Sequence, residues 1–235
     1  MSDDPIVLSF KDITLYQSDV DILRNRYKWL NDAIISFYFE YLSDKLPIDK
    51  QTEITFLNPT TVFMLSYLEN SDNLDEINSI LGPLNLPDKA CIFIPINDNS
   101  DPSTVAGGSH WSILVFVKNS KQFYYYDSIV GQTGNSHYAM IAARKLSMLL
   151  TGVPSKEQRI NIRQAPKQTN GHDCGLYLLS ITEFIVKRMV DQHQSLQFTD
   201  DIEKDMISTL TPQSVTGLRQ NILDLVTNLK AKASN

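Results

Sequence analysis

The chain divides into three stretches that differ in the spacing of their hydrophobic residues. Residues 34–42 and 74–81 carry apolar side chains at helical spacing, which predicts amphipathic helices. Residues 90–96, 109–117 and 122–126 are rich in β-branched and aromatic residues, which is typical of strands. Helical spacing then returns and continues to the end of the chain. The order of helices, strands and helices predicts an α+β fold rather than a doubly wound one.

The strand predicted over residues 109–117 is apolar on both faces. Trp111 and Ile113 point to one side, and Leu114 and Phe116 point to the other. A strand of this kind is typical of the interior of a sheet that is covered on both sides. We therefore place it at the centre of the fold.

Short polar residues mark the starts of two predicted helices. Asn31 or Asp32 precedes the first amphipathic run, and Asn135 or Ser136 precedes a run with alanine and leucine on one face. Side chains of these types accept hydrogen bonds from the unpaired N–H groups of a first helical turn. We expect an N-cap in each pair.

The composition narrows the class of protein. The 235 residues carry a net charge of −6 and no block of lysine and arginine, which argues against nucleic-acid binding and favours a basic partner. No apolar run is long enough to span a bilayer, and the acidic N-terminus is too polar for a signal peptide. Because no long linker divides the chain, we expect a single domain over residues 1–235. We expect a cytoplasmic or nuclear protein that does not bind membranes.

Cys174 is a candidate nucleophile. The two cysteines, Cys91 and Cys174, form no CxxC pair, which argues against a disulfide framework or a zinc site, and we expect neither a metal nor a cofactor. Cys174 lies where a polar loop becomes an apolar run of helical length. The unpaired N–H groups and positive dipole end of a helix stabilise a thiolate. The alternative is a small core side chain, which is what most free cysteines are.

A cysteine nucleophile needs a base within hydrogen-bond reach. His110 begins the interior strand behind a pair of glycines, which is a good position for facing a cleft, although a lone histidine is often an ordinary core residue. His172 lies two residues before the cysteine and is the main rival, but it is in a loop. His137 and His193 are in polar surroundings and are expected at the surface.

Asp127 and Gln168 complete the candidate site. Asp127 follows the aromatic strand 122–126, and a hairpin with the strand of His110 would bring its carboxylate to the imidazole and fix the tautomer. Gln168 precedes Cys174 by a few residues and is a candidate donor to a developing oxyanion, a contribution worth roughly 10²–10³ in rate. The alternatives are a turn residue for Asp127 and an ordinary loop residue for Gln168.

These residues resemble the motifs of a known family. The segments around His110 (Gly107–Ser112), Asp127 (Tyr126–Ser128) and Gln168 to Gly175 are similar to the His, Asp, Gln and Cys motifs of the ubiquitin-like-protein proteases, the Ulp or sentrin-specific cysteine proteases. Trp29-Leu30-Asn31-Asp32 is similar to the family's Trp-Leu-Asn-Asp motif. The resemblance covers nearly the whole chain. It implies a papain-like fold with a central mixed sheet, a buried helix that carries the nucleophile, and flanking helices.

Within this family the chain is most similar to the deneddylases, which act on neddylin, the ubiquitin-like modifier of cullins. Residues 5–9, 84–87 and 96–100 carry this similarity. It implies a monomeric protease that hydrolyses the peptide or isopeptide bond after the C-terminal Gly-Gly of the modifier. A SUMO-specific protease is the alternative. An acetyltransferase of related fold fits the paired tryptophans less well, and a non-catalytic binding module fits the complete set of candidate catalytic residues less well.

The same resemblance implies roles for the two tryptophans. Trp29 and Trp111 are expected to flank a tunnel for the diglycine tail, because glycines pass between flat indoles whereas bulkier residues clash. Asp32 is expected to meet the arginine that precedes the diglycine, and Asp98 and Asp101 are expected to add negative charge for that basic tail. Otherwise, Trp111 would be a core residue and Trp29 a hydrophobic staple before a helix.

Overall fold

The computed structural model describes residues 4–66, 73–99, 107–129, 134–191 and 198–233. Within these ranges the strands are β1 (Ile6–Phe10), β2 (Ile13–Tyr16), β3 (Ile54–Phe56), β4 (Cys91–Asn97), β5 (Trp111–Val117), β6 (Gln122–Tyr126) and β7 (Asn161–Ile162). The α-helices are α1 (Gln17–Arg24), α2 (Asp32–Lys45), α3 (Ile48–Glu53), α4 (Pro59–Ser66), α5 (Leu74–Leu81), α6 (Ser136–Thr151), α7 (Cys174–Asp191), α8 (Asp200–Thr209) and α9 (Pro212–Ala233).

A mixed sheet forms the centre of the molecule. Its strand order is β3-β4-β5-β6-β7, in which the two outer pairs are parallel and the two inner pairs are antiparallel. β1 and β2 form a separate antiparallel hairpin. The α+β fold with a central mixed sheet and flanking helices is confirmed. In the described ranges, the structure contains no helix long and apolar enough to cross a membrane.

The interior position of β5 is also confirmed, because all of its residues are buried. Trp111, Ile113 and Val115 join a hydrophobic core that includes residues of α2, α7 and α9. Leu114 and Phe116 join a second core on the other face, with residues of α4, α5 and α6. The alternation of side chains along one strand therefore divides the helices between the two faces of the sheet.

Helix α7 carries Cys174 at its first position and packs against β5, as a buried nucleophile helix requires. Gly175 follows, and a Cβ atom added there would lie 2.9 Å from the Cβ atom of Leu30. Glycine thus allows the start of α7 to approach the segment that carries Trp29. The close contact sets the distance between the nucleophile and that segment.

The two predicted N-caps have different outcomes. Asn31 precedes α2 and accepts a hydrogen bond from the backbone N–H of Ile34 at 3.1 Å. Asn135 precedes α6, but its side chain makes no capping bond. Instead, its amide donates to the carbonyls of His110 at 2.8 Å and Ile96 at 3.3 Å. These bonds satisfy two carbonyls in a buried region, and they use the side chain that was expected to cap α6, so the predicted capping bond at Asn135 is wrong.

Three short elements were not predicted. α1 has eight residues, α3 has six and β3 has three. α1 has only three apolar residues, and α3 and β3 are too short to establish a hydrophobic period. β3 is defined by its parallel pairing with β4, which local sequence does not reveal.

The close packing at Gly175 makes a prediction about stability. Gly175→Ala is expected to lower the free energy of unfolding by about 1–3 kcal/mol, because the added methyl group overpacks against Leu30. Gly217→Ala in α9 is the matched control, since a Cβ atom there would meet nothing within 4 Å. The control is expected to stabilise the protein by roughly 0.5–1 kcal/mol through helix propensity. Urea denaturation followed by circular dichroism measures both changes, and equal effects would contradict the packing argument.

Candidate active site

The structure brings His110 and Asp127 together. The Nε2 atom of His110 lies 2.6 Å from Oδ1 of Asp127, and both side chains are buried. His110 immediately precedes β5, Asp127 immediately follows β6, and Ile113 pairs with Tyr126 across the hairpin. The predicted hairpin therefore explains why these two side chains meet.

The Asp127 carboxylate accepts further hydrogen bonds. Oδ1 also accepts from the backbone N–H of Ile129 at 2.9 Å, while Oδ2 accepts from the Tyr125 hydroxyl at 2.5 Å and the backbone N–H of Asn135 at 3.0 Å. Burial alone raises the pKa of Asp127, but the His110 imidazolium and the Tyr125 hydroxyl lower it overall. The group is therefore held as a carboxylate in a fixed orientation.

His110 is held mainly in its protonated form at neutral pH. Burial by itself lowers the pKa of His110, but hydrogen bonds and charge attraction from Asp127 and the Cys174 thiolate raise it to about 9. Nε2 is bound to Asp127. The other ring nitrogen, Nδ1, is buried and makes no hydrogen bond of standard geometry with the described residues. Nδ1 is thus the nitrogen left to serve Cys174.

Cys174 lies at the N-terminus of α7, as predicted, and is 2% exposed. Asp173 precedes it, and the first helical hydrogen bond runs from the N–H of Tyr177 to the Asp173 carbonyl at 2.9 Å. The N–H groups of the first turn have no carbonyl partner within the helix, so they favour an anionic sulfur. The other cysteine, Cys91, is fully buried in β4, and burial raises the pKa of its thiol. Of the two, only Cys174 is placed to act as a nucleophile.

Gln168 is positioned by the residue that follows Asp127. The Ser128 hydroxyl donates to Oε1 of Gln168 at 3.0 Å, and the Gln168 N–H donates to the Ser128 carbonyl at 2.9 Å. The Gln168 amide also donates to the Asn170 carbonyl at 2.5 Å. An amide has two N–H donors, so one remains for another acceptor. The end of β6 therefore organises both the carboxylate and the candidate oxyanion donor.

The two tryptophans line one cavity of about 320 Å³, together with Asp32 and His110. Trp29 is 47% exposed, and its indole N–H donates to the Gly171 carbonyl at 2.7 Å. Trp111 is 4% exposed and donates to the Leu30 carbonyl at 2.8 Å. The structure thus places the three predicted substrate-binding residues around a single space beside His110.

Asp32 and Asp98 differ in how their carboxylates are used. Asp32 is the exposed first residue of α2, where partial desolvation raises its pKa, and it forms no ion pair with any residue in the described ranges. Asp98 accepts from the N–H groups of Ser109 at 2.5 Å and His110 at 3.0 Å, and from the Ser109 hydroxyl at 2.6 Å. Burial raises the pKa of Asp98, but these bonds lower it overall. The geometry gives Asp98 a role in holding the His110 segment, which the sequence did not suggest. Asp101, the other acidic residue of this prediction, lies outside the described residues.

The other two described histidines, His137 and His172, do not occupy the position of His110. His172 lies edge-on to Tyr27 with a ring separation of 5.5 Å, and its Nε2 atom is 4.0 Å from the Asp173 carboxylate. His137 is in the first turn of α6 beside Tyr138. His193 lies outside the described residues. In the described ranges no group of three His, Cys, Asp or Glu side chains is arranged to hold a metal ion.

Sequence reasoning missed the residues that support the site. Tyr125, Ser128 and Asn135 hold the candidate residues, but their partners include side chains and carbonyls that are distant in sequence. Polar residues next to motifs are common, so their identity alone carried no signal. The assembled arrangement can attack a carbonyl carbon with a thiolate, transfer a proton through an oriented imidazole and stabilise negative charge on oxygen.

The pKa of His110 predicts a pH dependence of stability. The pKa of His110 in the fold, about 9, exceeds its usual value of about 6.5, so the interactions of the protonated imidazole with Asp127 and Cys174 stabilise the fold fully below about pH 6.5. This contribution, on the order of 3 kcal/mol, is lost as the pH rises through 9. Asp127→Asn is expected to reduce this loss of stability. Urea denaturation of both proteins at several pH values between about 6 and 10 measures the free energy of unfolding. Parallel pH curves for the two proteins would contradict the assignment.

The chain is similar in sequence to several known proteins. A model of the Ulp1 protease family, C-terminal catalytic domain, matches residues 28–221. The chain is 35% identical to human sentrin-specific protease 8, over 97% of this chain and 100% of that protein. It is also 35% identical to the probable sentrin-specific protease 8 of Dictyostelium discoideum, over 97% of this chain and 99% of the relative.

A plant relative and a solved structure agree with this assignment. The chain is 31% identical to NEDD8-specific protease 1 of Arabidopsis thaliana, over 99% of this chain and 97% of that protein. The structure is similar to the Ulp1 protease domain solved in complex with Smt3, the yeast ortholog of SUMO, with a TM-score of 0.66 and 21% identity over 97% of this chain and 90% of that one. The solved structure supports the fold, and the sequence matches show that the chain belongs to the Ulp1 family of cysteine-type proteases.

Proposed function

We propose that this protein is a deneddylase, which hydrolyses the bond after the C-terminal Gly-Gly of neddylin (NEDD8). The observation that carries the proposal is the pairing of His110 with Asp127 beside a cavity that both tryptophans line. Similarity to proteins named NEDD8-specific proteases, from Arabidopsis thaliana at 31% identity and fission yeast at 30%, supports the choice of modifier.

The proposed reaction uses four residues. Cys174 attacks the carbonyl carbon of the terminal glycine as a thiolate, and His110 donates its proton to the departing amine. His110 then acts as a base toward the water that hydrolyses the thioester. Asp127 orients the imidazole and stabilises its charge, while the Gln168 amide and the Cys174 N–H support the oxyanion.

The proposed substrate site uses three residues. Trp29 and Trp111 border the path of the diglycine tail, which fits between them because glycine has no side chain. Asp32 receives the arginine before the diglycine. Its raised pKa and its lack of an ion pair in the described structure support this role, because a cation would relieve the cost of desolvating the carboxylate.

The wider setting is part of the proposal. We infer that the chain forms one catalytic domain and acts as a monomer in the cytoplasm, the nucleus or both. Two cores packed on opposite faces of one sheet support the single domain. The reactions are maturation of the neddylin precursor and removal of neddylin from conjugates such as cullins.

A panel of vinyl-sulfone probes built on neddylin, SUMO and ubiquitin tests this proposal. The neddylin probe is expected to label Cys174, and Cys174→Ala is expected to abolish labelling. Cys91→Ala is the matched control and should retain labelling, because Cys91 is a buried core residue away from the site. Labelling by the SUMO probe alone would make the protein a SUMO protease, and labelling by none would overturn the protease proposal.

Ser128→Ala tests whether Gln168 is held for oxyanion stabilisation. Gln168→Ala is expected to lower kcat by roughly 10²–10³, and Ser128→Ala by about tenfold because the amide loses its orientation. In the double variant, kcat should equal that of Gln168→Ala, since the serine acts only through the glutamine. Hydrolysis of neddylin–aminomethylcoumarin measures kcat, and multiplicative losses would contradict the arrangement.

Asp32→Asn tests the arginine subsite. KM is expected to rise about tenfold with little change in kcat, because a single charge pair made equally in the ground and transition states is lost. Asp49→Asn, an exposed change of the same charge on α3, should leave KM unaltered. A neddylin variant without the arginine should be insensitive to Asp32→Asn. Sensitivity that persists with that substrate would rule out the pairing.

A further inference from the structure

Arg219 is a buried cation that the proposed chemistry does not use. It lies on α9, is 4% exposed, and donates to three backbone carbonyls: Ile22 at 3.0 Å, Asn25 at 3.3 Å and Lys28 at 2.8 Å. These carbonyls belong to the end of α1 and the turn after it, which leads directly to Trp29. The planar guanidinium therefore fastens the segment that carries one wall of the cavity.

The same guanidinium faces the residue before the nucleophile. Its Nη2 atom lies 3.6 Å from Oδ1 of Asp173, which is 1% exposed. Oδ2 of Asp173 accepts hydrogen bonds from Asn170 at 2.9 Å and from Thr216, also on α9, at 2.8 Å. Helix α9 thus contacts Asp173 through two side chains.

The charge balance at Asp173 bears directly on Cys174. A buried carboxylate one residue away repels a thiolate, and this repulsion is strong where water is excluded. Arg219 supplies the compensating charge. Burial lowers the pKa of Arg219, while charge attraction from Asp173 and from Cys174 acts to raise it.

We propose that Arg219 is a positioning residue that acts on two parts of the site, balancing the Asp173 charge beside Cys174 and holding the turn that carries Trp29. The inference rests on the proposed function in taking Cys174 as the nucleophile. The two actions depend on different properties of the side chain. Charge balance needs only a cation, whereas the three carbonyl bonds need the planar fork of arginine.

Two substitutions separate these properties. Arg219→Met removes the charge and the fork, and Arg219→Lys keeps the charge alone. The rate of Cys174 alkylation by iodoacetamide, followed against pH by mass spectrometry, reports the thiolate and needs no protein substrate. Steady-state hydrolysis of neddylin–aminomethylcoumarin reports the Trp29 wall through KM.

The expected results differ for the two variants. In Arg219→Met the midpoint of the alkylation profile moves upward by about 1 pH unit, since the buried Asp173 carboxylate next to Cys174 loses its guanidinium partner. In Arg219→Lys the midpoint stays near that of the unmodified protein, but KM rises roughly tenfold because the turn loses its charged hydrogen bonds. Arg188→Met removes an ion pair with Asp205 near the other end of α7 and should change neither quantity.

A compensating variant keeps the test decisive if Arg219→Met does not fold. Adding Asp173→Asn to Arg219→Met removes the lone buried carboxylate, which should restore folding and return the midpoint toward the original value. Equal midpoints for Arg219→Met and Arg219→Lys, or no return in the double variant, would overturn the proposal. A normal alkylation profile without hydrolysis of the substrate would instead overturn the proposed function, so the two failures are distinguishable.

Discussion

The hydrogen bond between His110 and Asp127 is the interaction on which the rest of the site depends. It forms because β5 and β6 pair in one register, which sets the residue before one strand beside the residue after the other. A shift of β6 by one residue would turn its side chains to the opposite face of the sheet and separate the pair. The fully buried β5, whose two faces belong to different cores, makes such a shift costly. Core packing thus fixes the positions of His110 and Asp127 relative to each other.

Polar groups around the pair then fix it in place. The Asp98 carboxylate accepts a hydrogen bond from the backbone N–H of His110, and the Asn135 side-chain amide donates one to the His110 carbonyl. The Tyr125 hydroxyl and two backbone N–H groups hold Asp127. Hydrogen bonds that are linked in this way hold the two side chains in one orientation and polarise one another. The imidazole therefore has little freedom to rotate away from Cys174.

Much of the fold was predictable from sequence because its main elements have strong local patterns. The run of apolar residues after Cys174 identified α7, and the aromatic strand before Asp127 identified the hairpin that brings it to His110. The supporting residues were not predictable in this way. Arg219 meets Ile22 and Asp173 only after three distant parts of the chain have packed together, and a single arginine in an amphipathic helix resembles any surface residue. Asn135 has the sequence signature of a cap, yet its amide is drawn to buried strand carbonyls.

The walls of the cavity come from widely separated parts of the chain. Trp29 follows α1, Trp111 begins the central strand, and the turn before Trp29 is bonded to Arg219 on α9. The hydrogen bond from Arg219 to the Lys28 carbonyl joins two residues that are 191 positions apart in sequence. None of the described residues of α9 lines the cavity, yet α9 holds one of its walls. The shape of the cavity therefore depends on an element outside it, and a sequence change in α9 alters that shape without contacting anything inside the cavity.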